Sequence, residues 1–237
     1  MLYFSCATEE ADGSTASRVI SVEPRRFIIA GWTGRDVAAI EHHIEELAAL
    51  GVPRPSSVPL YYRAGKNLLS QDVEQEVIGS DSSGEAEPTL FFAEGEWWLT
   101  VGSDHTDRNV ESYSVAVSKQ MCPKQIATAA WRWADVADHQ DEIQLESSIF
   151  EDGQWVKYQS GTLASIRPLA SLRDGIFNEP GQDLAGHFLF CGTLGAIPNA
   201  EGKGIRPAGQ MRIALRDPRT NRSIVHRYSV NALPVIA

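Results

Sequence analysis

Five segments rich in β-branched and aromatic residues fill the chain from residue 144 onward and constrain the fold most strongly. They cover residues 144–150, 154–159, 186–191, 210–216 and 223–230. Glycine, proline and asparagine, which favour turns, separate the segments. Because such side chains fit the pleated surface of a strand, we expect most of this half to form antiparallel sheet.

The N-terminal half adds one strongly periodic helix to this pattern. Apolar residues recur at three- and four-residue spacing from Val37 to Leu50, and Gly51 and Pro53 would end the helix. Further strands are predicted on either side of Pro24, and a short helix is predicted at 127–137. Strands 88–92 and 96–101 would form a hairpin. The sequence therefore predicts an α+β fold that is β-rich, with an N-terminal helix.

The charge of the chain argues against nucleic acid as a partner. Its 237 residues include 21 Lys and Arg against 31 Asp and Glu, which gives a formal net charge of −10. Nucleic-acid binding would need a basic patch, and the sequence contains no cluster of Lys and Arg. An acidic protein that binds an anionic substrate needs a locally positive pocket or a bound metal.

The cysteines and the N-terminus lead us to expect a soluble, cytoplasmic protein with no membrane partner. Cys6, Cys122 and Cys191 are far apart and lack the spacing of a zinc site. A sparse, odd number of cysteines fits a reducing compartment. The first residues do not resemble a signal peptide, and no apolar run reaches the roughly 18 residues that span a bilayer.

Two acidic segments are candidates for a metal site. Glu85 and Glu87 are two residues apart, so on a strand both carboxylates would project from one face. Such a pair is either a solvated strand face or part of a cation site. The second segment, residues 103–111 (SDHTDRNVE), directly follows an apolar strand. It could be a binding site at the end of that strand or simply a polar loop.

Three weaker patterns could also carry chemistry. His43 and Glu46 share one face of the predicted helix, where a carboxylate could orient an imidazole as a general base. Such pairs are also common on helix surfaces. Cys122 has no indicated partner base and fits a small buried residue better. Gly192 and Thr193 follow an apolar strand and could offer a backbone N–H and a hydroxyl to an anion.

The order of these elements resembles the fumarylacetoacetate hydrolase superfamily, and more specifically an uncharacterised bacterial family at its edge. The similarity runs from about Ile29 to Val230, and residues 103–111 parallel the superfamily's Asn-Asp-Val-Ser-Ala-Arg-Asp-x-Gln stretch. In that stretch Glu111 stands where the superfamily has Gln. The resemblance implies a β-rich mixed β-roll like the C-terminal domain of fumarylacetoacetate hydrolase. It also implies a β-segment at 1–28 that packs on one catalytic domain at 29–237.

The resemblance implies a role for each candidate residue. Glu85, Glu87 and Asp104 would bind Mg²⁺ or Mn²⁺, hard cations that prefer oxygen ligands. The implied catalytic residues are His43 and Glu46, as a water-activating pair, and Lys119. The implied substrate-binding residues are Arg63, Arg108, Gly192 and Thr193.

These roles imply a metal-dependent hydrolase that cleaves a C–C bond in a small keto- or diketo-carboxylate, as an acylpyruvase does. The same site could instead serve a hydratase, a decarboxylase or an isomerase acting on a related 2-keto acid. A non-catalytic binding protein on the inherited fold is a further alternative, in which the carboxylates would be solvated or paired with arginine. The expected partners are a small anionic substrate and a second copy of the chain in a homodimer.

Overall fold

The computed structural model describes residues 1–10, 12, 14–49, 54–177 and 181–236. Four α-helices lie in these ranges: α1 (Val37–Ala49), α2 (Arg108–Glu111), α3 (Val115–Met121) and α4 (Leu169–Asp174). The strands of the first half are β1 (Leu2–Glu9), β2 (Thr15–Val22), β3 (Arg26–Gly31), β4 (Leu60–Ala64), β5 (Leu69–Ser70), β6 (Glu74–Ile78), β7 (Ser82–Ser83), β8 (Ala86–Ala93) and β9 (Glu96–Ser103). Those that follow are β10 (Thr106–Asp107), β11 (Lys124–Ile126), β12 (Ala129–Arg132), β13 (Gln144–Glu151), β14 (Gln154–Thr162), β15 (His187–Phe190), β16 (Gln210–Asp217) and β17 (Arg222–Leu233).

Two large sheets make up the fold. The first has ten strands in the order β2-β1-β12-β9-β8-β15-β3-β4, with β11 pairing with β9 and β5. The second has five strands in the order β14-β13-β16-β17-β6. Most strand pairs are antiparallel, but β1–β12, β5–β11, β3–β15 and β6–β17 are parallel. The β-rich mixed architecture predicted from the sequence is therefore confirmed.

The ten-stranded sheet curls around an aromatic core. The rings of Phe4 and Phe91 stack with centroids 4.2 Å apart, although two other strands lie between β1 and β8 in the sheet order. Phe188 on β15 stacks on Phe91 at 5.4 Å. Side chains on strands that are not neighbours meet only if the sheet bends, so the contact between Phe4 and Phe91 shows that the sheet forms a roll. The other face of the sheet packs against the five-stranded sheet through residues such as Leu90, Leu99 and Leu145.

Most predicted elements are confirmed, and one is wrong. The predicted helix at 37–50 is α1, except that Leu50 lies outside the described residues. The predicted helix at 127–137 is instead the strand β12 followed by 3₁₀ turns. Ala130 and Trp131 contact the two different cores, as neighbours on a strand with both faces covered must. With both faces apolar, the segment lacks the alternation that normally identifies a strand.

The predicted division of the chain at residue 28 falls inside β3, which spans Arg26–Gly31. The first 28 residues also contribute β1 and β2 to the ten-stranded sheet. The N-terminal segment therefore packs within that sheet, and the two-part division of the chain stays a prediction. No helix in the described ranges is both long enough and apolar enough to cross a bilayer.

The aromatic core predicts that Gly102 on β9 cannot be enlarged. A Cβ added there would lie 2.3 Å from Cζ of the buried Phe190 ring. We expect Gly102→Ala to lower the free energy of unfolding by about 1–3 kcal/mol, measured by urea denaturation. Gly209→Ala is the matched control, because an added Cβ there meets no atom within 4 Å. Equal stability of the two variants would contradict the described packing.

Candidate active site

One face of the β8–β9 hairpin changes from aromatic to acidic along its length. Cross-strand pairs on this face run from Phe91–Trp98 through Thr89–Thr100 to Glu87–Gly102. One step further, the Asp104 backbone N–H donates to the Glu85 carbonyl at 2.9 Å, which extends the ladder beyond the strand ends. Because i and i+2 residues and cross-strand partners share a face, Glu85, Glu87 and Asp104 lie on the same side of the hairpin.

Asp104 is the most buried of these three carboxylates, with no exposed surface. Lys119 Nζ donates a hydrogen bond to Oδ2, and Lys124 Nζ lies 2.8 Å from Oδ1. Burial by itself would raise the pKa of Asp104, but the two ammonium groups outweigh burial and hold that pKa below its usual range. Asp104 is therefore a buried, ionised carboxylate with a cation at each oxygen.

The two lysines differ in their surroundings. Lys119 lies on α3, whose N-terminus is capped by the Ser114 side chain, and it faces Asp104, Glu87 and Glu85. Burial opposes its charged form, but these carboxylates outweigh burial and raise the pKa of Lys119 above its usual value. Lys124 on β11 is completely buried, and its pKa is lowered by burial, with Asp104 opposing and Lys119 adding to the shift.

Glu87 is held by a glycine far away in the sequence. The Gly192 backbone N–H donates to Glu87 Oε2 at 2.7 Å. Burial and the nearby Asp104 raise the pKa of Glu87 well above its usual value, although Lys119 acts in the opposite direction. Gly192 has φ +91°, and a Cβ there would lie 1.7 Å from Thr33 Oγ1, so only glycine fits this position.

Thr193 takes part in a buried hydrogen-bond network. Its hydroxyl donates to the Ala86 carbonyl at 2.7 Å and accepts from Gln159 Nε2 at 2.6 Å. Gln159 Oε1 in turn accepts from the Ala86 N–H at 2.8 Å. Thr193 therefore joins the chain after β15 to the start of β8, beside the acidic pair. The sequence analysis missed Gln159, which lies on β14 where the register with β13 shifts.

Arg108 is bound by acidic and hydroxyl groups on several sides. Its Nη2 lies 3.1 Å from Glu85 Oε2, its Nη1 lies 2.8 Å from Glu111 Oε2, and its Nε donates to Ser83 Oγ at 2.7 Å. Burial opposes the charged form, but Glu85 and Glu111 outweigh burial and raise the pKa of Arg108 further. The Asp107 side chain caps α2 by accepting from the Val110 N–H, which fixes the start of this segment.

A chain of buried polar side chains lies behind Asp104. His105 Nδ1 is 3.0 Å from Ser82 Oγ, and its Nε2 is 2.7 Å from the Tyr228 hydroxyl. The His105 carbonyl also accepts a hydrogen bond from Lys124 Nζ. Burial and Lys124 lower the pKa of His105 to about 3, so its ring is neutral at physiological pH. Tyr228 on β17 therefore connects the second sheet to the acidic end of the hairpin.

Of the predicted site residues, Arg63 is not brought into this cluster. Arg63 is exposed on β4, whereas its neighbour Tyr62 places its ring 5.8 Å from Lys119 Nζ. Because successive side chains on a strand face opposite ways, Arg63 points away from Lys119. His43 and Glu46 lie on α1, but their side chains are outside the described residues. Their catalytic roles stay predictions.

The donor chemistry of the three carboxylates fits a hard divalent cation. All three offer only oxygen ligands. Burial, with Asp104 and Glu85 adding to it, raises the pKa of Glu87, and a cation would relieve the repulsion among these carboxylates. The contact between Asp104 Oδ1 and Lys124 lacks hydrogen-bond geometry, which leaves that oxygen without a well-directed donor. Within the described ranges, however, no three acidic, histidine or cysteine side chains are gathered as a metal site. Two of the three carboxylates instead pair with cations of the protein, Glu85 with Arg108 and Asp104 with Lys119.

Solved structures of low sequence identity share this fold. A 2-keto-3-deoxy-D-arabinonate dehydratase, complexed with magnesium and 2,5-dioxopentanoate, matches with a TM-score of 0.61 and 12% identity, over 96% of this chain and 79% of that one. A yeast protein of the fumarylacetoacetate hydrolase family matches with a TM-score of 0.60 and 13% identity, over 90% of this chain and 95% of that one. The protein therefore has the fumarylacetoacetate hydrolase-like fold, as its sequence predicted.

The chain belongs to DUF2848, a family described as proteins of unknown function, which matches residues 30–228. A search of curated proteins found no match.

The paired burial of Asp104 and two lysines predicts a large effect of neutralising the carboxylate. Asp104→Asn would remove the one carboxylate that contacts both buried ammonium groups. We expect it to lower the free energy of unfolding by about 3–5 kcal/mol without added metal, measured by urea denaturation. The Asp104→Asn/Lys124→Met double variant should recover part of this loss, because one unpaired charge is also removed.

Asp174→Asn is the matched control, because the Asp174 side chain pairs with Arg173 while 61% exposed. Its free energy of unfolding should change by less than about 0.5 kcal/mol. A similarly small effect of Asp104→Asn would contradict the paired state of Asp104.

Proposed function

We propose that this protein is a metal-dependent enzyme that acts on a small 2-keto carboxylate, most specifically a hydrolase that cleaves a C–C bond beside a carbonyl. The observation that carries the proposal is the common face shared by Glu85, Glu87 and Asp104, with the Lys119 ammonium among them. The fold is shared with a dehydratase whose structure contains magnesium and a keto compound, which supports the same chemical class here.

The three carboxylates would hold Mg²⁺ or Mn²⁺, which would supply a Lewis acid for the keto oxygen and the carboxylate of the substrate. Lys119 forms an ion pair with Asp104, and the nearby carboxylates favour its charged form. It would therefore act as a fixed positive charge and hydrogen-bond donor rather than as a base. Its ammonium would offset the negative charge that develops on an enolate leaving group.

Hydrolysis also needs a base for the attacking water, and the superfamily resemblance assigns His43 and Glu46 to this step. The two residues are three apart on α1, so they share a helix face. His43, oriented by Glu46, would accept a proton from the water molecule as that water attacks the second carbonyl carbon of a diketo-carboxylate substrate. The C–C bond would then break, and the departing carbon would keep the bonding electrons until it is protonated.

Two alternatives rest on specific observations. Dehydration of a 2-keto acid is favoured by the fold shared with the 2-keto-3-deoxy-D-arabinonate dehydratase, and it would use the same carboxylates and Lys119. A non-catalytic protein on this fold is favoured by the ion pair between Arg108 and Glu85, because such a protein would neutralise its own carboxylates.

Metal binding separates the enzymatic proposal from the non-catalytic one. We expect millimolar Mg²⁺ to stabilise the protein by about 2–4 kcal/mol, seen as a higher melting temperature. Glu85→Ala/Glu87→Ala should abolish that shift. The control Glu74→Ala/Glu76→Ala removes an exposed acidic pair of the same spacing on β6 and should retain it. A wild-type protein that gains no stability from Mg²⁺ or Mn²⁺ would rule out the metal-dependent proposal.

Replacing His43 separates hydrolysis from dehydration. If the enzyme hydrolyses acylpyruvates, His43→Gln should lower kcat by roughly 10²–10⁴-fold, because the attacking water loses its base. His42→Gln changes the adjacent, exposed residue and should retain wild-type turnover. Substantial residual turnover by His43→Gln would instead favour dehydration or another reaction that needs no activated water.

A further inference from the structure

The positive charge of Arg108 is already compensated by two carboxylates of the protein, whereas an arginine that binds a substrate carboxylate needs its charge free. Glu85 and Glu111 both contact the Arg108 guanidinium, and its Nε is used by Ser83. The side chains of Arg108, Glu85 and Glu111 are only 18%, 15% and 29% exposed, so solvent screens these contacts weakly. Two carboxylates against one guanidinium leave this group of three with a net negative charge.

A groove borders Arg108 on its exposed side. The cavity has a volume of about 670 Å³ and is lined by Asp81, Arg108, Asn109, Ile205 and Pro207. Arg108 is the cation of this lining, and Asp81 adds another carboxylate. A ligand group entering the groove would meet Arg108 already paired with Glu111, next to apolar Ile205 and Pro207. This lining suits an uncharged group better than a second carboxylate.

The cations deeper in the site are also committed to a protein carboxylate. Lys124 is completely buried against Asp104, whereas Lys119 is slightly exposed and shares the same carboxylate. One partly accessible ammonium, together with the proposed metal, would be enough to balance a single substrate carboxylate. No unpaired cation remains among Arg108, Lys119 and Lys124 for a second substrate carboxylate.

We propose that the site selects 2-keto monocarboxylates with an uncharged distal end, and that Glu111 is the residue that rejects a second carboxylate. This inference rests on the proposed function and names its substrate class. When Glu85 binds metal, Glu111 keeps Arg108 paired and in place, so a distal carboxylate meets the Asp81 carboxylate and no free guanidinium. Rejection by an unfavourable charge is a common source of specificity.

Two keto acids of equal chain length test the proposal. 2-Oxopentanoate and 2-oxoglutarate differ by a terminal carboxylate, and calorimetry can measure the binding of each to Mg²⁺-loaded protein. We expect the wild type to bind 2-oxopentanoate at least about tenfold more tightly. Glu111→Gln should bring the two affinities close together by strengthening 2-oxoglutarate binding, because Arg108 becomes available. Glu111→Asp keeps the charge and should retain the wild-type preference.

Glu201→Gln is the matched control, since Glu201 pairs with Lys203 while 70% exposed, and it should leave the ratio unchanged. Equal affinities in the wild type, a ratio that Glu111→Gln does not change, or no binding of 2-oxopentanoate would overturn the inference while Mg²⁺ binding remains intact. A wild type that binds no Mg²⁺ would instead overturn the proposed function, and this inference with it. If Glu111→Gln does not fold, the ratio of the two wild-type affinities still tests the preference for monocarboxylates, and Glu111→Asp tests the role of the charge at residue 111.

Discussion

Burial of the Asp104 carboxylate between two lysine ammonium groups is the interaction on which the acidic end of the structure depends. An ionised carboxylate without solvent contact costs several kcal/mol unless nearby cations compensate it. Lys119 comes from α3 and Lys124 from β11, so this requirement brings both elements against the β8–β9 hairpin. The pairing of β11 with β9 and the capped start of α3 hold these lysines in position. Charge compensation and backbone pairing therefore support the same arrangement.

The acidic end of the hairpin gathers cationic side chains although the chain as a whole is acidic. The overall charge is −10, yet the acidic end of the hairpin contains Lys119, Lys124 and Arg108. Each of them is already paired with a protein carboxylate, so a divalent metal would have to rearrange those pairs. Burial is the main cause of the raised pKa of Glu87, and the carboxylates of Asp104 and Glu85 add to it. Strongly shifted carboxyl groups are typical of functional sites, and the repulsion among these three is the physical reason to propose a cation there.

The sequence predicted strands and the long helix well because their patterns are local. Residues 127–137 were misassigned because β12 is covered on both faces, which removes the alternation that marks a strand. The site was only partly predictable for a related reason. The spacing of Glu85 and Glu87 shows that they share a face, but the partner of Glu87 is Gly192, 105 residues away. Nothing in the local sequence marks Lys124 as the second cation at Asp104. Arg63 was predicted to bind substrate, but its neighbour Tyr62 is the residue that faces Lys119. A shift of one residue along a strand moves the side chain to the other face of the sheet.

The proposed function requires that Glu85, Glu87 and Asp104 together bind a divalent metal. The most direct test is a crystal structure of Mn²⁺-soaked protein with anomalous diffraction data, because manganese gives an anomalous signal that locates the ion. We expect a single strong peak within about 2.0–2.6 Å of oxygens from all three side chains. We also expect the Arg108–Glu85 contact to open while Arg108 stays bound to Glu111. A fully occupied manganese site elsewhere, with the three carboxylates still paired to Arg108 and the lysines, would contradict the proposed function.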